Sequence, residues 1–223
     1  MEQSSGRQEI RDDLQDLITK LDKAKIELFS ERLLLAVAVK KSNIKYPDYW
    51  APFQNDKDQV EIEIIDATER AAKKERDRII DIFEECGIRN YGQVVSIKRI
   101  QNRDRLQKFL TEIGKHHDLG SNDDPFEKTR QLFHGPRGNL DNILKEGGLS
   151  TKYSKRHKPG RAMRIWLHQK SWYSMRYANQ ANNGNKRMFI CRAISNIGET
   201  NGGAHIFKND HHVLIEYLIE WKT

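Results

Sequence analysis

Residues 186–221 read KRMFICRAISNIGETNGGAHIFKNDHHVLIEYLIEW, and their pattern decides the fold class. Met188–Ile194 and Val213–Trp221 are apolar runs of strand length, rich in β-branched and aromatic residues, and turn formers bound them. His205–Phe207 is a short strand between them. Upstream, Arg164–Leu167 and Arg130–Phe133 have the same character, and Val60, Ile62 and Ile64 alternate as a strand. Val94, Val95, Ile97 and Ile100 predict one more. Helices fall between these strands: one begins at Asp66, carries Ile79, Ile80, Ile82 and Phe83 and stops at Gly87. A second runs from Arg103 to Ile113, and a third from Asn139 to Glu146 before Gly147-Gly148. Strands crowd the C-terminal half with short helices between them, which predicts an α+β fold on a largely antiparallel sheet. Nothing has P-loop or Rossmann spacing, and there is no internal repeat.

Ahead of this region, Ile10, Leu14, Leu17, Leu21, Ala24 and Leu28 lie 4, 3, 4, 3 and 4 apart, one stripe of an amphipathic helix. So short a stripe is marginal as an isolated coiled coil, so the helix is expected to dock on its own domain, pair with a partner or dimerise through 10–28. The run 33–39 is continuously apolar and expected to be buried. Tyr46-Pro47 through Pro52 interrupts regular structure. The expected organisation is a helical extension over 1–45 and a second domain over 46–223.

The chain has 223 residues, 39 Lys plus Arg, 32 Asp plus Glu, and a formal charge of +7. No apolar run approaches the roughly 18 residues that span a bilayer, and the first nine residues are too polar for a signal peptide. A soluble protein of the cytoplasm or nucleus is expected. Cys86 and Cys191 lie far apart without zinc-site spacing, so neither a disulfide framework nor a structural zinc is expected. The pairs His116-His117 and His211-His212 invite a metal reading. Adjacent strand residues point to opposite faces, however, so both pairs are expected at the surface, with no metal.

Charge is unevenly placed. No acidic residue occurs between Glu146 and Glu199, a stretch with eleven Lys and Arg. A local positive field concentrates anions, so a phosphate-bearing ligand, nucleic acid or an acidic protein surface are candidate partners. A solvated basic loop is the plainer alternative.

Two stretches could carry chemistry. Leu132-Phe133-His134-Gly135 ends a strand in a histidine followed by a glycine, where the backbone can approach a ligand closely. Ile165-Trp166-Leu167, then Tyr173-Ser174, then Tyr177 offer two aromatic faces and a hydroxyl to a flat heterocycle, and equally suit an ordinary core strand and helix.

In order, these phrases resemble the catalytic domain of the poly(ADP-ribose) polymerase (PARP) superfamily of diphtheria-toxin-like ADP-ribosyltransferases, over about residues 46–223. Leu132 to Pro136 is similar to the family's LFHGT, with Pro136 for the threonine. Arg164 to His168 followed by Ser174-Met175-Arg176-Tyr177 resembles G-x-Y-F-A followed by S-x-x-Y. Met188 to Ala193 looks like MFLCRV, and Leu214 to Ile219 like YPEYLI. Ile97 to Asn102 is similar to I-x-R-I-Q-N, and Tyr49-Trp50 to the opening of the mono-ADP-ribosylating branch.

The resemblance implies two mainly antiparallel sheets around a cleft for NAD as cosubstrate. It implies that His134 bonds the nicotinamide ribose, that Gly135 holds the carboxamide through its backbone, that Ser174 bonds the same carboxamide, and that Tyr177 stacks on the ring. Trp166 then covers the other face, and a pyridinium between aromatic faces gains stacking and cation–π attraction. The loop Lys152–Arg164, Arg164 included, corresponds to the donor loop over the diphosphate. The reaction implied is glycosyl transfer to an acceptor protein, possibly the chain itself.

Departures sharpen the expectation. The family's third catalytic position, a glutamate in chain-elongating members, falls on Ala204, so mono-transfer rather than polymer synthesis is implied. Glu199 is expected on a loop, without a catalytic part. Trp166 keeps the stacking face and loses the phenol; Arg164 and His168 replace small residues. An inactive NAD-binding or scaffolding domain is the alternative. A nucleic-acid module using Trp166, Trp172, Tyr173 and Tyr177 as stacking platforms is the third reading.

Overall fold

The computed structural model describes residues 14–25, 46–51, 59–66, 68–85, 92–120, 123–138, 140–153 and 163–222. Ile10, Leu28, the run 33–39, the Gly87 stop and the basic loop over 154–162 lie outside them. The chain divides into two compact units, Met1–Tyr46 and Pro47–Thr223.

In the first unit, helix α1 covers residues 14–25, with Leu14, Leu17, Ile18 and Leu21 exposed and Lys20 paired to Asp16 one turn earlier. Among the described residues no helix is long and apolar enough to cross a membrane.

The second unit is α+β. Its strands are β1 (Gln59–Glu63), β2 (Val94–Asn102), β3 (Thr129–His134), β4 (Ile165–His168), β5 (Asn179–Gln180), β6 (Lys186–Ile194), β7 (Glu199–Asn201), β8 (Ala204–Phe207) and β9 (Val213–Trp221). Its helices are α2 (Arg70–Glu85), α3 (Arg103–His116), α4 (Leu140–Lys145) and α5 (Ser171–Met175). Every strand pairing is antiparallel, in the order β1-β2-β9-β6-β3-β4-β8-β7, with β5 beside β6.

One expectation is corrected here. The hydrogen-bonded strands form one nine-stranded sheet, not two separate ones. The group β4-β8-β7 joins the rest through the single pair Phe133↔His168, whereas β3 and β6 pair along six positions. The join is a narrow seam, and His134 stands beside it.

The sheet buries both faces. Met188 and Ile190 of β6 pack with Ile79 and Phe83 of α2, while Phe189, Cys191 and Ala193 face a second cluster with Leu140 and Ile143 of α4. Strand β9 changes parity part-way. Val213 and Ile215 belong to the α4 side, Tyr217, Ile219 and Trp221 to the α2 side. The cause is a bulge: Cys191 pairs with Ile215 and Ile190 with Tyr217, so Glu216 is the extra residue.

Asn102 caps α3 by accepting from the Arg105 N–H at 2.8 Å, and the helix buries Leu106, Phe109 and Ile113. Gly147, with φ of 72°, ends the α4 segment as its N–H and that of Gly148 bond the carbonyls of Leu144 and Ile143.

Candidate functional site

The residues singled out from sequence fall on the ends of β3, β4 and β8 and on α5. His134 is the last residue of β3, and its Nδ1–H donates to the Trp166 carbonyl at 2.9 Å. Because a carbonyl only accepts, this bond fixes the tautomer and leaves Nε2 as an acceptor. Burial lowers the His134 pKa, and the Trp166 carbonyl offsets that in part, so the ring is neutral at pH 7.

Gly135 follows in close contact with the turn after α5. A Cβ there would overlap the Ser174 carbonyl oxygen and stand 2.8 Å from the Tyr177 carbonyl carbon and 2.9 Å from its Cβ. Only glycine lets the two segments approach this closely. The Arg137 N–H then donates to the Tyr177 carbonyl at 3.0 Å, and the buried Ser174 hydroxyl donates to the Phe133 carbonyl at 3.0 Å. Ser171 ties α5 to α2 through the Phe83 carbonyl at 3.1 Å. His134, Gly135, Ser174 and Tyr177 are thus one constellation, locked by backbone.

Trp166 belongs to it through its carbonyl. Its indole is 43% exposed between the buried Ile165 and Leu167, so it lies on the open side of β4. Ala204 begins β8, is buried, and pairs with His168. Ala204 therefore presents a methyl group beside the His168 imidazole.

Arg164 is not drawn to the His134 group. It forms an ion pair with Glu199, which Lys208 also meets at 2.7 Å. Glu199 is corrected from a loop to strand β7, where its bond from Lys208 leads the contacts that hold its pKa below the usual range. The basic stretch is also less bare than its sequence implies. Lys152 pairs with Glu146 at 2.7 Å and Arg192 with Glu216 at 2.6 Å, so acidic groups from outside the stretch neutralise Arg164, Lys152 and Arg192.

Arg137 is new to the group, and Tyr173 and His168, both named from the sequence, gain partners there. The Arg137 guanidinium stands 4.0 Å from the Tyr177 ring centroid, a cation on that aromatic face. Tyr173 meets Tyr177 edge-on at 5.9 Å and stacks on His168 at 4.2 Å and 13°. His168 accepts from the Lys170 N–H at 3.0 Å through Nδ1. Trp172 and Arg176 continue this aromatic and cationic row toward solvent. Arg137 carries a sequence signal in hindsight, since it directly follows the Gly-Pro turn. The His168–Tyr173 stack carries none, because strand and helix periodicity do not say which rings meet.

Elsewhere, a depression lined by Asp141, Ala181, Asn182, Asn183, Arg187 and Glu220 shares no residue with this group. The histidine pairs differ from expectation. His116 ends α3 with His117 as its cap, and His211-His212 lie in a 3₁₀ turn over Asp210–His212 rather than in strands, so neither pair splits across a sheet.

Compared with known proteins, the chain matches no family model and no curated protein.

Proposed function

We propose that the chain is an NAD-dependent mono-ADP-ribosyltransferase that releases nicotinamide and transfers ADP-ribose to an acceptor side chain. The observation that carries the reading is the backbone-locked group of His134, Gly135, Ser174 and Tyr177. Its chemistry suits the nicotinamide half of NAD. Neutral His134 offers Nε2 as an acceptor to a ribose hydroxyl. Ser174 spends its proton on the Phe133 carbonyl, so its oxygen is left to accept from a carboxamide N–H. Tyr177 already receives a guanidinium on its ring, and a pyridinium is a cation of the same flat shape.

The step is heterolysis of the C–N glycosidic bond. Nicotinamide leaves with the bonding pair, positive charge develops on the ribose, and an acceptor carboxylate, hydroxyl or nitrogen forms the new bond from the opposite face. A hydroxyl or amine acceptor also gives up its proton. The chain's own part is to hold the leaving group, orient the ribose and limit water. Ala204 provides no carboxylate to polarise a ribose hydroxyl, so transfer stops after one unit.

The same Ala204, with Glu199 engaged by Arg164 and Lys208, supports the second reading of a domain that binds NAD and does not transfer. Auto-modification with labelled NAD, beside His134→Ala and direct NAD calorimetry, separates the two. A discrete label on the wild type that the variant loses supports the transferase. Binding without label supports the second reading, and neither binding nor label removes both.

A further inference from the structure

Away from the His134 group, α3 and the turn before β9 bring three metal-ligating side chains together. Glu112 and His116 are four residues apart and so share a face of α3. His212 ends the 3₁₀ turn over Asp210–His212, where the Asn209 side chain accepts from the His211 N–H at 2.9 Å. The Asn209 amide also reaches Glu112 Oε2 at 3.4 Å, so turn and helix are already in register.

Glu112 divides its oxygens. Oε1 receives the Lys115 ammonium at 2.7 Å, and Oε2 faces both imidazoles, 3.3 Å from His212 Nε2 and 3.7 Å from His116 Nε2. One ligand atom from each of the three residues lies within 4.8 Å of the others. The rings meet edge to face at 5.1 Å, so they converge without stacking.

The His212 contact is an ion pair when that ring is protonated, whereas the His116 separation is beyond hydrogen-bond reach. Ligand atoms about 2.1 Å from a tetrahedral Zn²⁺ stand about 3.4 Å apart along each edge, and the two observed values straddle that figure. Glu112 is buried at 8% exposure and keeps its orientation, while the exposed His116 lets an ion enter from solvent.

We propose that Glu112, His116 and His212 bind one zinc-like divalent ion through Oε2 and the two Nε2 atoms, with water in the fourth position. Two imidazoles and a carboxylate suit Zn²⁺ and Co²⁺ better than Mg²⁺ or Ca²⁺, which prefer all-oxygen sets. The ion would fasten the C-terminal turn of α3 to the turn leading into β9. This inference is independent of the NAD reading.

The test uses the full chain after chelator treatment, titrated with Co²⁺ and then Zn²⁺. The expected result is one equivalent of Co²⁺ with the intense visible bands of a tetrahedral site, displaced by Zn²⁺. A Tm rise of roughly 5–10 °C is expected at a hundredfold excess over Kd. His116→Ala removes an exposed group and leaves the fold intact; it should weaken binding at least tenfold, as should His212→Gln, and His134→Ala should not. Absence of Co²⁺ bands in the folded wild type overturns the site. So does wild-type affinity in either His116→Ala or His212→Gln, since the ion would then sit on other donors.

Discussion

At the scale of single residues, Gly135 constrains the candidate site most. Its contact with the turn after α5 is backbone against backbone, so an added methyl has no flexible neighbour to displace. Gly135→Ala should therefore destabilise the protein by about 1–3 kcal/mol, the usual cost of overpacking, and should also weaken NAD binding because Ser174 and Tyr177 move away from His134. A urea melt and NAD calorimetry on the same variant check both. Unchanged stability would mean that the two segments part without cost, and the locked constellation would lose its basis. The types and places of His134, Gly135, Ser174 and Tyr177 were legible locally, and their grouping only through the family resemblance. The company of Glu112, His116 and His212 was not. It depends on how the end of a helix meets a distant turn, and the strand assumed for the histidines would have pointed neighbours apart.

At the scale of elements, β9 holds the lesson. Its length and apolar character were plain in the sequence, as were β2, β3, β4, β6, β8 and α3, because periodicity and turn formers are local. The bulge at Glu216 was not, since an unbroken apolar run has no visible parity. Short β5 and β7 carry no apolar alternation; Glu199, Thr200 and Asn201 are all exposed, so only pairing with β8 defines them. The bulge has an energetic consequence. Glu216, 2% exposed, accepts from Tyr49 at 2.9 Å, from Arg192 at 2.6 Å and from Gln131 at 3.0 Å. Burial pushes the Tyr49 hydroxyl well above its ordinary range, and the Glu216 charge adds to it. The adjacent Tyr217 hydroxyl donates to Glu75 at 2.8 Å, and Glu75 binds Arg99 through both oxygens. Replacing the buried Glu216 with Ala leaves the part-buried Arg192 guanidinium without its carboxylate and should cost about 3 kcal/mol. Glu61→Ala, which removes a half-exposed partner 3.5 Å from Lys98, should cost less than about 1 kcal/mol. Denaturant midpoints for the two variants decide it, and equal losses would contradict the ranking.

At the scale of the whole molecule, three histidines set a dependence on acid. His134, His168 and His205 sit at or near the seam where β4 and β8 join the sheet, and burial leads the causes that lower all three pKa values from 6.5. A partial offset at His134 comes from the Trp166 carbonyl. At His205 the charges of Arg130 and His168 act in the same direction as burial. Each group is neutral when folded and takes up a proton more readily when unfolded, so between the folded and unfolded values the unfolded chain binds more protons. Stability is then complete above the unfolded value near 6.5 and is lost as pH falls through the lower folded values. A second loss follows in stronger acid. Burial works to raise Asp210 and Glu220, but bonds from Thr151 and Ser150, and from Asn183 and Asn185, hold both below their usual range. Their contribution is present above about pH 4–5 and disappears below it. Urea midpoints measured with chelator present at constant ionic strength should therefore be level from pH 8 to 7, decline as pH falls below about 6.5, and drop again below about 4. His205→Gln should shrink the first decline and leave the second. A profile flat between pH 7.5 and 5 would show that these histidines titrate alike in both states, and that the seam takes up protons without opening.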